Sequence, residues 1–432
     1  MDWKEQYKSK LVNAQEAVRK IRSGDRVVVG HACGSPDILL RAMVDNKEAY
    51  RNVELVHFVP MGVSDYCLPE NSSHFIHNAM FAGPTTRQAI HDGRAVFTPT
   101  HLSQAVRLFR KKILPVDVTL CMLSVPDEHG YCSFGVSVDY TKPAAESSKI
   151  VIAEITPHMP RTLGDSFIHI SNIDYIVECD SKPIIMQPPK IGPIDEAIGG
   201  YCAELIRDGD CLQLGIGAVP DAILGFLHDK RDLGIHTEMF SDGVVDLVEK
   251  GVITCAKKNF HPNKMVANFF MGTEKLYKFV HNNPMVEMFT ADYTNNPIIV
   301  AKNDNLVSIN SSLQVDFTGQ AASESVGYRQ YSGTGGQADF ARGAAMSKGG
   351  RAILAFHSTA GNGTVSKIVP HLDEGAVVTL TRTDTQYIVT EYGIADLVGK
   401  SVPQRAEALI GIAHPDFRGE LKKEFSSIYK RG

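Results

Sequence analysis

Three stretches of the chain gather residue types that can do chemistry. In Gln213-Leu214-Gly215-Ile216-Gly217-Ala218-Val219-Pro220-Asp221 an apolar run enters a glycine-bearing turn and then a helix. Glycines let a ligand approach the backbone, and a helix start offers unpaired N–H groups and partial positive charge to an anion. Pro220 suits a first helical turn. The plainer reading of this segment is a tight turn with no ligand. In Ser332-Gly333-Thr334-Gly335-Gly336-Gln337-Ala338-Asp339, three glycines in four residues can form a nest of N–H groups facing an oxyanion or a carboxylate, or simply a surface turn. Glu238, in Ile235-His236-Thr237-Glu238-Met239-Phe240, falls at the end of a strand, the edge where open parallel sheets bind ligands. A carboxylate there can act as nucleophile, general base or ribose ligand; an exposed or capping glutamate is the plainer alternative.

Other templates fit less well. Neither glycine run continues into G-K-[ST], so a phosphate loop for nucleoside triphosphates is disfavoured. Gly215-x-Gly217 and Gly333-x-Gly335-x-x-Ala338 are partial dinucleotide fingerprints, and Glu238 lies roughly 20 residues beyond the first, where a ribose-binding acid would fall. Pro220 replaces the third glycine of the first run, and no clear strand precedes the second. A nicotinamide-dependent oxidoreductase therefore stays as the alternative from another class. His74-x-x-His77 has no nearby acid in a ligand motif, and no metal site is expected. Ser35, Ser332 and Ser358 lie near glycines without a G-x-S-x-G elbow. Cys33 is a weak nucleophile candidate with a packing role as its alternative, and the eight cysteines contain no C-x-x-C pair.

The elements that must position these groups read as α/β. Val27–Val29, Val53–Val59, Val116–Met122, Ile150–Ile155, Ile173–Cys179, Leu212–Ile216 and Val377–Leu380 are strand-like runs separated by amphipathic stretches, which predicts two similar open, mostly parallel α/β domains. Four prolines between Ser181 and Ile194 place the boundary, giving domains 1–185 and 186–432. Ile21-Arg22-Ser23-Gly24-Asp25 recurs as Ile206-Arg207-Asp208-Gly209-Asp210, 185 positions later, and Pro36-Asp37-Ile38-Leu39 is echoed by Pro220-Asp221-Ala222-Ile223-Leu224. This predicts an internal duplication. Glu238 matches only apolar or neutral residues around Val59-Pro60 of the first copy.

Composition excludes several classes. The 432 residues carry a net charge of -5 with scattered basic residues, which argues against a nucleic-acid partner. No apolar run reaches the length of a membrane span, and the first residues lack an apolar signal segment, so a cytoplasmic protein is expected.

The segments LQLGIGAVPDAIL (212–224), HTEMFSDGVVDLVEKG (236–251), YSGTGGQADFARGA (331–344), SKIVPHL (366–372), VTEYGIADLVGKS (389–401) and AHPDFR (413–418) together resemble the family I CoA-transferases of the acetyl-CoA hydrolase/transferase type. The likeness runs along nearly the whole chain and is strongest to the members acting on 4-hydroxybutyrate or butyrate. It implies two similar α/β domains with the active site between them, and a catalytic glutamate at Glu238. In such enzymes the carboxylate attacks an acyl-CoA thioester to give an acyl-glutamyl anhydride. The released thiolate then forms a glutamyl-CoA thioester, and a second carboxylate such as acetate takes the CoA by the reverse path. The resemblance further implies oxyanion or carboxylate donors at Gly217, Ala218, Gly335 and Gly336. It implies contacts to CoA from Gly215, Ile216, Gly217, Ala218, Val219, Ser332, Gly333, Gly336 and Lys367. Coenzyme A is then substrate and covalent intermediate, with no tightly bound cofactor, and the assembly is a homodimer. Some relatives have Asn where this chain has Ser332, and a hydroxyl cannot make both contacts of an amide. Asp242 reads as a turn residue. An acyl-CoA hydrolase, in which water takes the place of the acceptor, and a non-catalytic CoA-binding protein remain as alternatives.

Overall fold

The structure, a computed structural model, describes residues 2–429. It divides into two compact units: the chain up to Gln187 with Val266–Thr294, and Pro188–Met265 with Asn295 onward. The break falls in the proline-rich stretch, close to the expected boundary. A single cut at 185/186 nevertheless misses the return of 266–294 to the first unit. Backbone bonding explains that return. Val138 and Asp139 both donate N–H to the Asn268 carbonyl at 3.0 and 3.1 Å, Phe270 donates to Val136 at 2.8 Å, and Val286–Met288 pairs in parallel with Leu163–Gly164.

The first unit is built on a seven-stranded sheet. Its strands, in chain order, are β1 (Arg26–Val29), β2 (Val53–His57), β3 (Phe75–Ala79), β4 (Ala95–Phe97), β5 (Val118–Ser124), β6 (Ile150–Thr156) and β7 (Tyr175–Glu178). Their spatial order is β7-β6-β5-β1-β2-β3-β4, and every pairing is parallel. All seven residues of β5 are buried, as expected of a central parallel strand covered on both faces.

The second unit carries β8 (Cys211–Leu214), β9 (Gly234–Ile235), β10 (Leu306–Asn310), β11 (Arg351–Ala355), β12 (Tyr387–Thr390) and β13 (Gly393–Asp396) in the order β9-β8-β10-β11-β12-β13. Only the last pairing is antiparallel. The run β9-β8-β10-β11-β12 repeats β2-β1-β5-β6-β7, so the duplication is a repeat of topology as well as of sequence.

The repeat extends to single hydrogen bonds. Arg22 N–H donates to the Asp25 carboxylate at 2.8 Å, and Arg207 N–H to Asp210 at 2.6 Å. Gly24 N–H bonds the Arg51 carbonyl at 3.0 Å, and Gly209 N–H the Arg231 carbonyl at 2.9 Å. Gly24 and Gly209 have φ of 81° and 79°, a left-handed turn that a side chain would strain. The copies differ in what backs the aspartate: Asp210 is buried against Arg351 Nη2 at 2.6 Å, whereas Asp25 is only half-buried.

One expected strand is absent. Val377 and Val378 are exposed, and Leu380 makes an isolated bridge to Ala321. The β-branched run there lies over the surface because Gly375, at φ 79°, turns the chain beside the Tyr328 ring.

Candidate active site

The second unit brings most of the singled-out residues together. β8 ends at Leu214, and the helix Ala218–Gly225 begins after Gly217, whose φ of 119° only glycine adopts freely. Pro220 lies in the first turn, as its missing N–H allows. The N–H groups of that turn have no acceptor within the helix. The residues of the turn, Gly215 to Pro220, line a cleft of about 470 Å³ together with Ile309 to Ser311, His357, Asp195 and Lys367. Five expected contacts, Gly215, Ile216, Gly217, Ala218 and Val219, thus share one cleft with Lys367.

Glu238 stands one residue beyond Thr237, which is tied to the end of β8. Thr237 Oγ1 donates to the Leu214 carbonyl at 3.1 Å and accepts from Leu214 N–H at 3.3 Å. The glutamate therefore emerges beside the first glycine turn. Its carboxylate is half-buried, and Oε2 accepts from Asn295 Nδ2 at 2.6 Å. A Cβ on Gly336 would collide with Oε2 of Glu238 and with Nδ2 of Asn295. Gly336 caps the ten-residue helix Gln337–Met346, so the carboxylate lies at the positive end of a helix dipole. Gly335, at φ 54°, supplies the turn before it. Gln337 Nε2 donates to the Ser311 carbonyl at 2.8 Å, which fixes this helix start against a residue lining the cleft.

Glu238, Gly335, Gly336, Ser332 and Gly333 are not among the residues that line the cleft, and the Ser332 hydroxyl donates to the Ser323 carbonyl at 3.1 Å. Glu324, absent from the sequence reading, organises this loop from below. It is 4% exposed, its carbonyl accepts from Tyr331 and Ser332 N–H, and its carboxylate accepts from Thr334 and Thr379 hydroxyls at 3.3 and 3.1 Å.

Two further supports escaped the sequence. Lys258, 6% exposed, donates from Nζ to the Ile235 and Lys264 carbonyls at 2.8 and 2.7 Å, bracing the strand that leads to Glu238. Glu391, inside VTEYGIADL, accepts from Ser358 N–H and Oγ at 2.8 and 2.6 Å, and the Ser358 carbonyl accepts from Lys367 N–H at 2.9 Å. Lys367 Nζ lies 4.9 Å from the Phe356 ring centroid and has no carboxylate partner within ion-pair distance among the described residues. Burial pushes its ammonium down to about 8, only partly offset by Glu391.

The competing templates lack their context. Only the two-residue strand Arg329–Gln330, in a small hairpin, precedes the second glycine run, so the βαβ setting of a dinucleotide fingerprint is missing there. Cys33 is buried and its thiol is pushed up to about 11 by desolvation, which opposes a thiolate nucleophile. His77 is held down to about 4 by burial, and no group of three or more metal-binding side chains occurs among the described residues. Asp242 is the first residue of the helix Asp242–Glu249 rather than a residue of the turn before it. No helix among the described residues is long and apolar enough to cross a membrane.

Comparison with known proteins extends over nearly the whole chain. Residues 1–188 match the acetyl-CoA hydrolase/transferase N-terminal domain, and residues 272–425 match the C-terminal domain of the same family. The chain is 58% identical to the 4-hydroxybutyrate coenzyme A transferase of Clostridium kluyveri over 99% of its own length and 100% of that protein. It is 38% identical to the butyryl-CoA:acetate CoA-transferase of Anaerostipes caccae over 100% and 99%. Among solved structures, RipA from Yersinia pestis superposes with a TM-score of 0.93 at 39% identity, covering 99% of each chain. A 4-hydroxybutyrate CoA-transferase from Porphyromonas gingivalis gives 0.85 at 42%, covering 99% of this chain and all of that one. With two domain matches in order, full-length relatives and a duplicated α/β architecture, this chain belongs to the acetyl-CoA hydrolase/transferase family, as a family I CoA-transferase akin to those of 4-hydroxybutyrate and butyrate.

Proposed function

We propose that the protein moves CoA between a short-chain acyl-CoA, 4-hydroxybutyryl- or butyryl-CoA, and a carboxylate such as acetate, with Glu238 as the nucleophile. The observation that carries this reading is the seat of the Glu238 carboxylate: hydrogen-bonded to Asn295, crowded by Gly336 and set at a helix N-terminus.

A carboxylate is a weak nucleophile, so the rate must come from holding it and from binding the remote parts of CoA. One Glu238 oxygen attacks the thioester carbonyl; the C–S bond breaks, CoA leaves as thiolate, and an acyl-glutamyl anhydride remains. The thiolate attacks the glutamyl carbonyl of the anhydride, the acyl carboxylate leaves, and CoA is held as a glutamyl thioester. The acceptor carboxylate runs the same steps backwards. Two covalent halves replace a three-body encounter. The oxyanion of each tetrahedral intermediate is met by backbone N–H groups of Gly217 with Ala218, or of Gly335 with Gly336.

The names of relatives support the substrate class. Beyond those above, a relative 44% identical over 97% of this chain is a succinyl-CoA:cyclohexane-1-carboxylate CoA transferase of Geobacter metallireducens. Such variety makes the acyl and acceptor groups the point to test. Initial rates with butyryl- or 4-hydroxybutyryl-CoA and varied acetate should give the parallel double-reciprocal lines of a ping-pong reaction, lost in Glu238→Gln. CoA release independent of any acceptor would make the enzyme a hydrolase instead.

A further inference from the structure

The glycine turn that meets the Glu238 carboxylate cannot hold its own shape. Glycine has more backbone freedom than any other residue, and of Gly333, Thr334, Gly335 and Gly336 only Thr334 carries a side chain. The backbone bond across the turn, from Gln337 N–H to the Thr334 carbonyl, is long at 3.4 Å. The shape must come from outside, and Thr334 is the handle by which it is held. Its hydroxyl donates to the side-chain oxygens of Glu324, 3.3 Å from each. The same oxygens accept from Thr379 Oγ1 at 3.1 Å and from Gln330 Nε2 at 3.3 Å. The Glu324 carbonyl accepts from Tyr331 and Ser332 N–H at 2.7 and 3.0 Å, so one residue grips the chain both before the turn and within it. All of its side-chain donors are neutral, and no Lys, Arg or His lies within ion-pair distance of it among the described residues. A carboxyl group buried in that company costs stability unless its bonds are made, and a network so satisfied makes rigid the groups it joins. Two residues beyond Thr334, Gly336 lies so close to Glu238 that a Cβ would collide with Oε2.

We propose that Glu324 is a positioning residue of the transfer reaction, which through the Thr334 hydroxyl fixes the glycine turn facing the Glu238 carboxylate. The inference rests on the reading of Glu238 as the nucleophile. It adds a requirement of its own: the bond between Glu324 and Thr334 serves the chemical step, where backbone donors must stand where charge develops, and not the binding of acyl-CoA.

Steady-state kinetics of the full chain with butyryl-CoA and acetate test it on the near-isosteric Thr334→Val, the conservative Thr334→Ser, Glu324→Gln, and Thr379→Val as a control that removes another hydroxyl from Glu324 outside the turn. Thr334→Val should lower kcat roughly tenfold and leave the KM for butyryl-CoA within about twofold of the parent, the split expected when only the transition state loses support. Thr334→Ser keeps the hydroxyl and should keep most of the rate. Thr379→Val should lower the denaturant midpoint without that fall in kcat. Joining Glu324→Gln to Thr334→Val should slow the enzyme no further than the slower single variant, because both break one link. A Thr334→Val enzyme with parental kcat, a KM that rises in step with the loss, the same loss in Thr379→Val, or additive effects in the double variant would overturn the proposal. Glu238→Gln is run beside them: if it is inactive, each of those results counts against the role of Glu324 alone. A parental rate in Glu238→Gln would instead overturn the nucleophile reading, and this inference with it.

Discussion

Any side-chain carbon at position 336 would overlap Oε2 of Glu238, so Gly336 is a glycine for the sake of that carboxylate. Gly336→Ala must therefore displace the glutamate or the helix start that faces it. Because small misplacements of reacting groups cost about 100-fold, kcat should fall by roughly that factor. Circular dichroism should show an unchanged fold; a Gly336→Ala enzyme with parental kcat would separate this turn from the chemistry.

Asn295 is buried and gives its amide hydrogen to Glu238. A hydrogen bond to a charged group contributes about 1.5–3 kcal/mol, so Asn295→Ala should slow formation of the covalent intermediate about 10- to 100-fold. Asn295→Asp sets a second carboxylate against the first, which raises one ionisation of the pair. Its activity should then appear only at higher pH than in the parent, measured as the acid limb of kcat/KM.

The pH dependence of CoA binding should come from Lys367, whose ammonium is held down to about 8 by burial, with Glu391 the charged group that opposes the shift and Phe356 the ring beneath it. Below that pH the group is charged; as pH rises through about 8 it loses its proton and the KM for acyl-CoA should climb. A bound phosphate favours the charged form, so binding near pH 8 should take up protons, read from titrations in buffers of different ionisation enthalpy. Lys367→Met should raise the KM and abolish both effects.

Asp210 and Arg351 form a buried pair that the first unit lacks. Removing one partner of such a pair strands the other, at a cost of about 3–5 kcal/mol. Asp210→Asn, which also weakens the bond from Arg207 N–H, should lower the denaturant midpoint of the protein by a corresponding amount. The matching Asp25→Asn change, at a half-buried site, should cost less.

The duplication was legible in the sequence because the repeated Gly-Asp turn imposes the same backbone bonds in both copies, and a left-handed glycine followed directly by an aspartate is a local signal. Glu238 was legible from its place at a strand end. Asn295, Glu324 and Lys258 were not, because each acts on a segment far along the chain: Lys258 in a run of lysines reads like any solvated side chain until the fold buries it under Ile235. His357 and Asp195, 162 positions apart, were silent for the same reason. The run at Val377 misled because β-branched residues suit strands, while a glycine turn decides where the chain goes. The return of residues 266–294 to the first unit likewise depends on backbone bonds without a side-chain pattern to announce them.

The most direct test of the account is to incubate the protein with butyryl-CoA in the absence of acceptor, reduce with borohydride, and map residues 231–249 by peptide mass spectrometry beside Glu238→Ala. The expected result is a CoA thioester, or the alcohol left by its reduction, on Glu238 alone and nothing in the variant. Release of CoA with residue 238 unmodified would contradict it and leave direct hydrolysis by an activated water as the reaction of this site.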